Sequence, residues 1–344
     1  MTKISQSTLD SLVTQTASKK NIHGAVLRVS STDSTIDLVS AAGNLVPESK
    51  FYIASINKFL ISFITLRLSF EGKLSLNDKI NRYIDSKILA GISVFKNKDF
   101  TNEITIKHLI SHTSGLPCYL IDKMPDGRKN MDLILSGNDQ SWEFEKVLAV
   151  IKRMSPKFIP GTEKKAAYSE TNFRIMDRII EVLLNKQISD VLSELFLELE
   201  MSDTFVLPHT VLNVAPVYHK DKKISLEKYW KSTGHDLAST SADLLKFLRA
   251  FFEGKYLPKE NISDLKEWNN IFFPFKYGIG LQKFYMPRIL SPFKALPEII
   301  GHCGSVGSIA FYIPDKKCYI TGTVNQTGNP NTVFQTLIKI VNKL

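Results

Sequence analysis

A serine hydroxyl becomes a useful nucleophile only when a neighbour takes its proton, because its own pKa leaves almost no alkoxide at neutral pH. A lysine three residues later on a helix lies on the same face as the serine and within reach of it. This chain carries that Ser-x-x-Lys spacing at Ser55, Ser93, Ser225, Ser263 and Ser291, so spacing alone selects nothing. Context does. Only Ser55 opens a long apolar segment with helical periodicity (Phe59, Leu60, Phe63, Leu66), directly after the aromatic pair Phe51-Tyr52. Ser225 lies in a polar stretch and Ser291 precedes a proline. A serine at a helix start also gains from the helix dipole, which favours negative charge developing at an attacked carbonyl. Taken alone, Ser55 and Lys58 would equally describe an N-cap followed by a solvated lysine. The rest of the chain decides.

Tyr52-Ile53-Ala54-Ser55-Ile56-Asn57-Lys58 resembles the first motif of the serine β-lactamases and penicillin-binding proteins. His108 to Pro117 (HLISHTSGLP) resembles a structural stretch of their class C branch. Phe158 to Thr162, followed by Tyr168-Ser169-Glu170-Thr171-Asn172-Phe173, resembles the segment carrying its second motif. Asp236 to Thr240, running on to Asp243-Leu244, resembles a later helix start, and Gly301-His302-Cys303-Gly304 stands where a Lys/His-x-Gly third motif belongs. Five matches in family order, from about residue 24 to residue 325, are far more specific than any one of them.

The resemblance implies an acyl-transfer hydrolase with Ser55 as nucleophile and Lys58 beside it. Tyr168 would take the place of the second-motif tyrosine. A phenol at its usual pKa of about 10 is a poor base, so neighbouring cations would have to favour its phenolate or let it relay protons. His302 would lie on a strand beside Ser55, to polarise Tyr168 or to meet a substrate carboxylate less firmly than lysine. The backbone N–H groups of Ser55 and Ser305 would form the oxyanion hole, with Gly304 letting the strand approach closely. Glu170 is the main departure, since most class C relatives have asparagine there. A carboxylate beside Lys58 would hold the lysine as a cation and leave Tyr168 as the base, or else recognise a substrate amine. Loss of β-lactam recognition follows as an expectation. Cys303 is expected to be a small strand residue rather than a nucleophile. His108 and His112 share i, i+4 spacing, but no Glu follows His108 and no third ligand is evident, so neither a metal site nor a cofactor is expected. His209, His219 and His235 receive no role.

These residues need elements to position them. Residues 1–20 read as an amphipathic helix, and His23 to Ser30 with Thr35 to Ala41 as a hairpin. A helix should run from near Ser55 to a left-handed cap at Gly72. Helical spacing then recurs at Ile104 to Ser111, Trp142 to Met154, Asn172 to Leu184, Ile188 to Leu199 and, after capping candidates at 239–241, Asp243 to Phe252. Lys276 to Phe284, Ser308 to Ile313 and Cys318 to Val324 read as strands, and Val333 to Leu344 as a closing helix. The expected fold is therefore α/β (α+β), an antiparallel sheet flanked by helices and built from both chain ends. Residues 1–74 and 220–344 would form that part, residues 75–219 an inserted helical domain, and the active site would lie between them.

Composition narrows the class further. At 43% hydrophobic and 23% charged the 344 residues suit a globular chain. The net charge of +10 comes from scattered lysines, which reads as a solvated surface rather than a nucleic-acid site. The longest apolar stretch, 59–70, is too short to span a bilayer. Three cysteines disfavour a disulfide framework, and no secretory leader is visible, which together suggest a cytoplasmic protein. The expected partner is a small-molecule or peptide acyl substrate, with esterase, amidase, D-amino-acid peptidase, acyltransferase and non-hydrolytic penicillin sensor all compatible with the same nucleophile.

Overall fold

The computed structural model describes residues 4–208, 213–257, 260–286 and 295–344; His209 and Ser291 lie outside them. Eight antiparallel strands form the main sheet. Their spatial order is Asn269–Phe272, Phe275–Tyr277, Gln282–Phe284, Ile299–Cys303, Ser308–Ile313, Cys318–Thr323, Gly24–Ser31, Asp37–Gly43. The first strand of the chain pairs with the last, Val26 opposite Thr323 and Ser31 opposite Cys318, so neither end of the sequence can make this sheet alone.

Alternation along the strands explains why both faces are covered. Ile309 and Phe311 point to one face, where Leu27, Val29 and Ile320 also lie, and the helices Gln6–Ala17 and Thr332–Val341 close it with Leu9, Val13, Val333 and Leu337. A buried hydrogen bond of 2.6 Å between Thr16 and Thr336 joins these two helices. Ala310 and Ile300 belong to the opposite face, beneath the helices Asn57–Phe70 and Ser241–Phe252. There Phe59 packs against Phe247 and Phe251, with ring centroids 5.0 and 4.5 Å apart. The central strand Cys318–Thr323 is accordingly buried at every position.

Most expected elements are present with ends shifted by a few residues. One is not. The single strand expected over Lys276 to Phe284 is two strands, because the backbone turns through Gly278-Ile279-Gly280. Gly280 has φ +67°, and a Cβ there would meet Ser62, so only glycine fits this turn. The turn is pinned from outside, Ile279 N–H donating to Leu265 O and Gly280 N–H to Ile110 O. A three-stranded sheet of Phe51–Tyr52, Leu237–Ser239 and Phe205–Val206 has no counterpart in the expected pattern, since its strands are two or three residues long. It holds the segment that leads into Ser55.

Phe251 is wholly buried at the joint between helix and sheet, its ring beside those of Phe59, Phe63, Phe247 and Phe252. Phe251→Ala should cost about 3–5 kcal/mol of unfolding free energy, whereas Leu197→Ala, at 82% exposed, should stay within about 0.5 kcal/mol. Urea denaturation of the two variants beside the wild type checks both.

Candidate active site

The backbone reaches Ser55 under tension. Ile53 N–H donates to Leu237 O at 3.0 Å, and Ile53 O accepts from Ser308 Oγ at 2.7 Å. The next residue, Ala54, has φ +47°, a conformation that residues with a Cβ rarely adopt. Ser55 then sits in a single 3₁₀ turn, Ala54–Ile56, that runs straight into the helix Asn57–Phe70. Gly304 completes the clamp. A Cβ at Gly304 would lie 2.3 Å from Ser308 Oγ and 2.4 Å from Ile53 O, so the third-motif strand approaches the nucleophile turn as closely as backbone allows.

Three polar side chains converge there. Lys58 Nζ lies 3.3 Å from Ser55 Oγ and 2.5 Å from Glu170 Oε2. Ser55 Oγ donates to Glu170 Oε1 at 3.4 Å, and Tyr168 Oη donates to the same oxygen at 3.5 Å. Lys58 is 1% exposed, its cation flanked by the rings of Tyr168 and Phe173. Glu170 is the first residue of the helix Glu170–Leu184, where the unpaired N–H groups favour a carboxylate.

Tyr168 and His302 sit in surroundings that the motifs do not reveal. Burial, then the Glu170 charge, then Tyr277 push the Tyr168 phenol well above its ordinary range, which favours the protonated phenol. His302 bonds neither Ser55 nor Tyr168 among the described residues. Its ring is fully buried, Nδ1 donates to Cys303 O at 2.8 Å and Nε2 accepts from Tyr277 Oη at 3.0 Å. Burial, outweighing its bond to Cys303 O, brings its pKa down to about 3, so the ring is neutral. Among the described residues no hydrogen bond links it to Tyr168; Tyr277 packs against both rings. His302 thus holds Tyr277 rather than a carboxylate.

The other candidates fall into place around this core. His112 Nδ1 accepts from Ser169 N–H and from the Asn172 amide, and its ring lies 4.5 Å from that of Tyr168. His108 caps its own helix with Thr105. Cys303 is half-buried, its Sγ 3.1 Å from Gln282 Oε1, and burial raises its thiol pKa strongly. Among the remaining Ser-x-x-Lys serines, Ser93 is buried, Ser225 is exposed, and Ser263 donates to Glu260 O in a short helix. None of these three has such a setting. His219 bonds Thr327, and His235 bonds the buried Asp177.

Ser55 opens into a cleft walled by Leu120, Met131, Ile134, Leu226, Tyr229 and Val306. The amide N–H groups of Ser55 and Ser305 have no acceptor among the described residues, and both residues line this cleft. Asp236 lies in its wall, its oxygens bonded to Tyr52 Oη and Thr233 Oγ1 at 2.5 Å each. Sequence reasoning did not find the apolar wall. Met131 and Ile134 come from a six-residue helix, Asn130–Leu135, too short to show a periodicity. Asp236 stands inside a quoted motif, but nothing local reveals that its partners are Tyr52 and Thr233.

The family model for beta-lactamase matches residues 9–340. The chain belongs to the beta-lactamase family. Among curated proteins it is 29% identical over 161 residues to Protein flp of Staphylococcus aureus (strain MW2), covering 46% of this chain and 28% of that protein. It is 26% identical over 200 residues to the Teichoic acid D-alanine hydrolase of Staphylococcus aureus (strain MRSA252), covering 58% and 40%. The matches thus span less than half the length of these relatives. Among solved structures, a D-amino acid amidase from Ochrobactrum anthropi SV3 superposes with a TM-score of 0.78 at 20% identity, covering 98% of this chain and all of that one. A D-stereospecific amidohydrolase from Streptomyces sp. gives 0.75 at 22%, covering 96% and 98%. At such identities these likenesses concern the fold.

For this beta-lactamase family member the buried histidines set an acid limit on stability. His302 in the folded state has its pKa near 3 and His108 near 4, each below the ordinary 6.5 and each chiefly through burial. The unfolded chain therefore binds more protons between about pH 6.5 and those values, and stability falls as pH drops through that window. His302→Gln should lose less stability than the wild type between pH 7 and pH 4.5, read by chemical denaturation at both pH values.

Proposed function

We propose that this chain cleaves esters or amides of apolar acyl groups through an acyl-enzyme on Ser55. The observation that carries the reading is that Ser55 and Ser305, whose amides are unbonded among the described residues, both line a cleft with a largely apolar wall. An acyl chain in that cleft would bring its carbonyl to Ser55. The two amides would receive the oxyanion as the tetrahedral intermediate forms, a type of contribution worth about 10²–10³ in kcat per donor. The frame for this reading is the division into residues 1–74 with 220–344 and residues 75–219, since Ser55 and Ser305 come from one part and Tyr168 and Glu170 from the other.

Charge refines the substrate class. Lys58 is the one lysine or arginine lining the cleft among the described residues, and it is paired with Glu170. A substrate carboxylate of the penicillin type would meet no unpaired cation and would face the carboxylates of Glu170 and Asp236. Neutral acyl donors are favoured. The same two carboxylates support a second reading, amides of amino acids whose free amine enters the cleft, and the D-amino acid amidase among the structural relatives is consistent with it. Among the described residues no helix is long and apolar enough to cross a membrane. The three free cysteines suit a reducing compartment such as the cytoplasm.

The test is mass spectrometry after exposure to p-nitrophenyl butyrate, D- and L-phenylalanine amide and a fluorescent penicillin, with Ser55→Ala as control. Ester turnover with butyryl trapped on Ser55, absent from the control, is expected, with penicillin labelling at least tenfold slower. A stable penicilloyl adduct without ester turnover would overturn the hydrolase reading in favour of a sensor.

A further inference from the structure

The hydrogens around Ser55 can be assigned by counting donors and acceptors. Lys58 is a donor only, and its shortest contact is the 2.5 Å ion pair with Glu170 Oε2. A second ammonium N–H reaches Ser55 Oγ at 3.3 Å, where it must meet a lone pair. The Ser55 hydroxyl hydrogen therefore points elsewhere. Tyr168 Oη donates to Glu170 Oε1, and as a neutral phenol its own oxygen is a weaker acceptor than a carboxylate. The Tyr168 oxygen is also within hydrogen-bond reach of Ser55, but the carboxylate oxygen is the stronger acceptor, and Glu170 Oε1 accepts from Ser55 Oγ at 3.4 Å. Glu170 thus collects three donors, one of which is the nucleophile, and its side chain is 12% exposed.

We propose that Glu170, and neither Lys58 nor Tyr168, is the general base that takes the Ser55 proton. The proposal rests on the acyl-enzyme reading above. In acylation the Ser55 Oγ–H proton passes to Glu170 Oε1 as Oγ bonds to the substrate carbonyl carbon, and the carbonyl electron pair moves onto the oxygen held by the two amides. As the intermediate collapses, the bond to the leaving group breaks. Tyr168 gives its proton to the leaving atom and is reprotonated from Glu170, so the net transfer is from Ser55 to the leaving group. In deacylation a water gives its proton to Glu170 as it attacks the acyl carbon, and the same proton returns to Oγ when the ester bond breaks. Lys58 stays a fixed cation throughout. It aligns the carboxylate and steadies the negative charge on Oγ during attack. An asparagine at position 170 could fill the same space and bond Lys58 but could not take a proton.

Contact geometry agrees with a resting state. Bonds of 3.4 and 3.5 Å to Oε1 are long, as catalytic bonds often are before substrate binds.

The experiment is stopped-flow acylation with p-nitrophenyl butyrate on the full chain, comparing wild type, Glu170→Gln, Glu170→Asn and Glu170→Ala. Glu170→Gln and Glu170→Asn should acylate about 10²–10⁴-fold more slowly, the range of a lost general base. Added formate should restore the acylation rate of Glu170→Ala in proportion to its concentration while leaving the wild type unchanged, which a structural role would not produce. Near-wild-type acylation in either amide variant would overturn the proposal, as would folded Glu170→Ala that formate does not rescue. Should Glu170→Ala unfold, Glu170→Gln decides by itself, because its amide still gives Lys58 an oxygen in place. If the wild type itself forms no acyl-enzyme on Ser55, the function reading fails rather than this assignment.

Discussion

The buried pair of Lys58 and Glu170 is the interaction on which the site depends. Removing two charges from water is costly, and their attraction offsets that cost only when geometry is close and the remaining hydrogen-bond capacity is used. Here the ions are 2.5 Å apart and Glu170 also accepts from Ser55 and Tyr168. Deleting one partner would leave a buried ion alone, a loss of about 3–5 kcal/mol in comparable pairs. The pair also sets the states of its neighbours. Together with burial, which is the larger cause, the carboxylate favours the protonated phenol of Tyr168, and the ammonium turns the Ser55 hydroxyl away from itself.

Everything else in the fold brings those few atoms together and keeps water from competing with them. The nucleophile turn is held by Leu237 on one side and Ser308 on the other. The partner carboxylate arrives on a helix that packs against the nucleophile's own helix. Layers of aromatic rings back both, Phe59, Phe247 and Phe251 behind the nucleophile helix, His112 and Tyr277 behind Tyr168. Histidine serves here as a wall material. His112 and His302 are neutral, each with a ring nitrogen accepting a bond from a neighbour that must not move.

Much of this is legible in the sequence, and the limits have physical causes. The choice of Ser55 among five candidate serines rests on the apolar helix that follows it, and burial of that helix is a property of its own residues. Elements longer than about eight residues can be placed because their periodicity has room to repeat. The stretch Lys276 to Phe284 reads as one strand because the two glycines that permit a reversal also occur in continuous strands. His302 misleads for a different reason. Motif position fixes the strand it sits on, but which face its side chain takes depends on Tyr277, twenty-five residues away. Tyr168 shows the same limit. A cation nearby in the motif order suggests a phenolate, while burial and the Glu170 charge, both products of assembly, favour the phenol.

The hydrogen bond from Ser308 to Ile53 spans 255 positions of chain. The turn that carries Ser55 is therefore held by residues synthesised long after it, and the unbonded Ser305 amide comes from the same later segment. A nascent chain that already displays Ser55, Lys58 and Glu170 still lacks the clamp and half of the oxyanion site. The clamp forms only when segments far apart in the sequence meet, as they do where Gly24–Ser31 pairs with Cys318–Thr323, a long-range pairing of the slow-forming kind. The order of synthesis thus places the clamp on Ser55 after Ser55 itself.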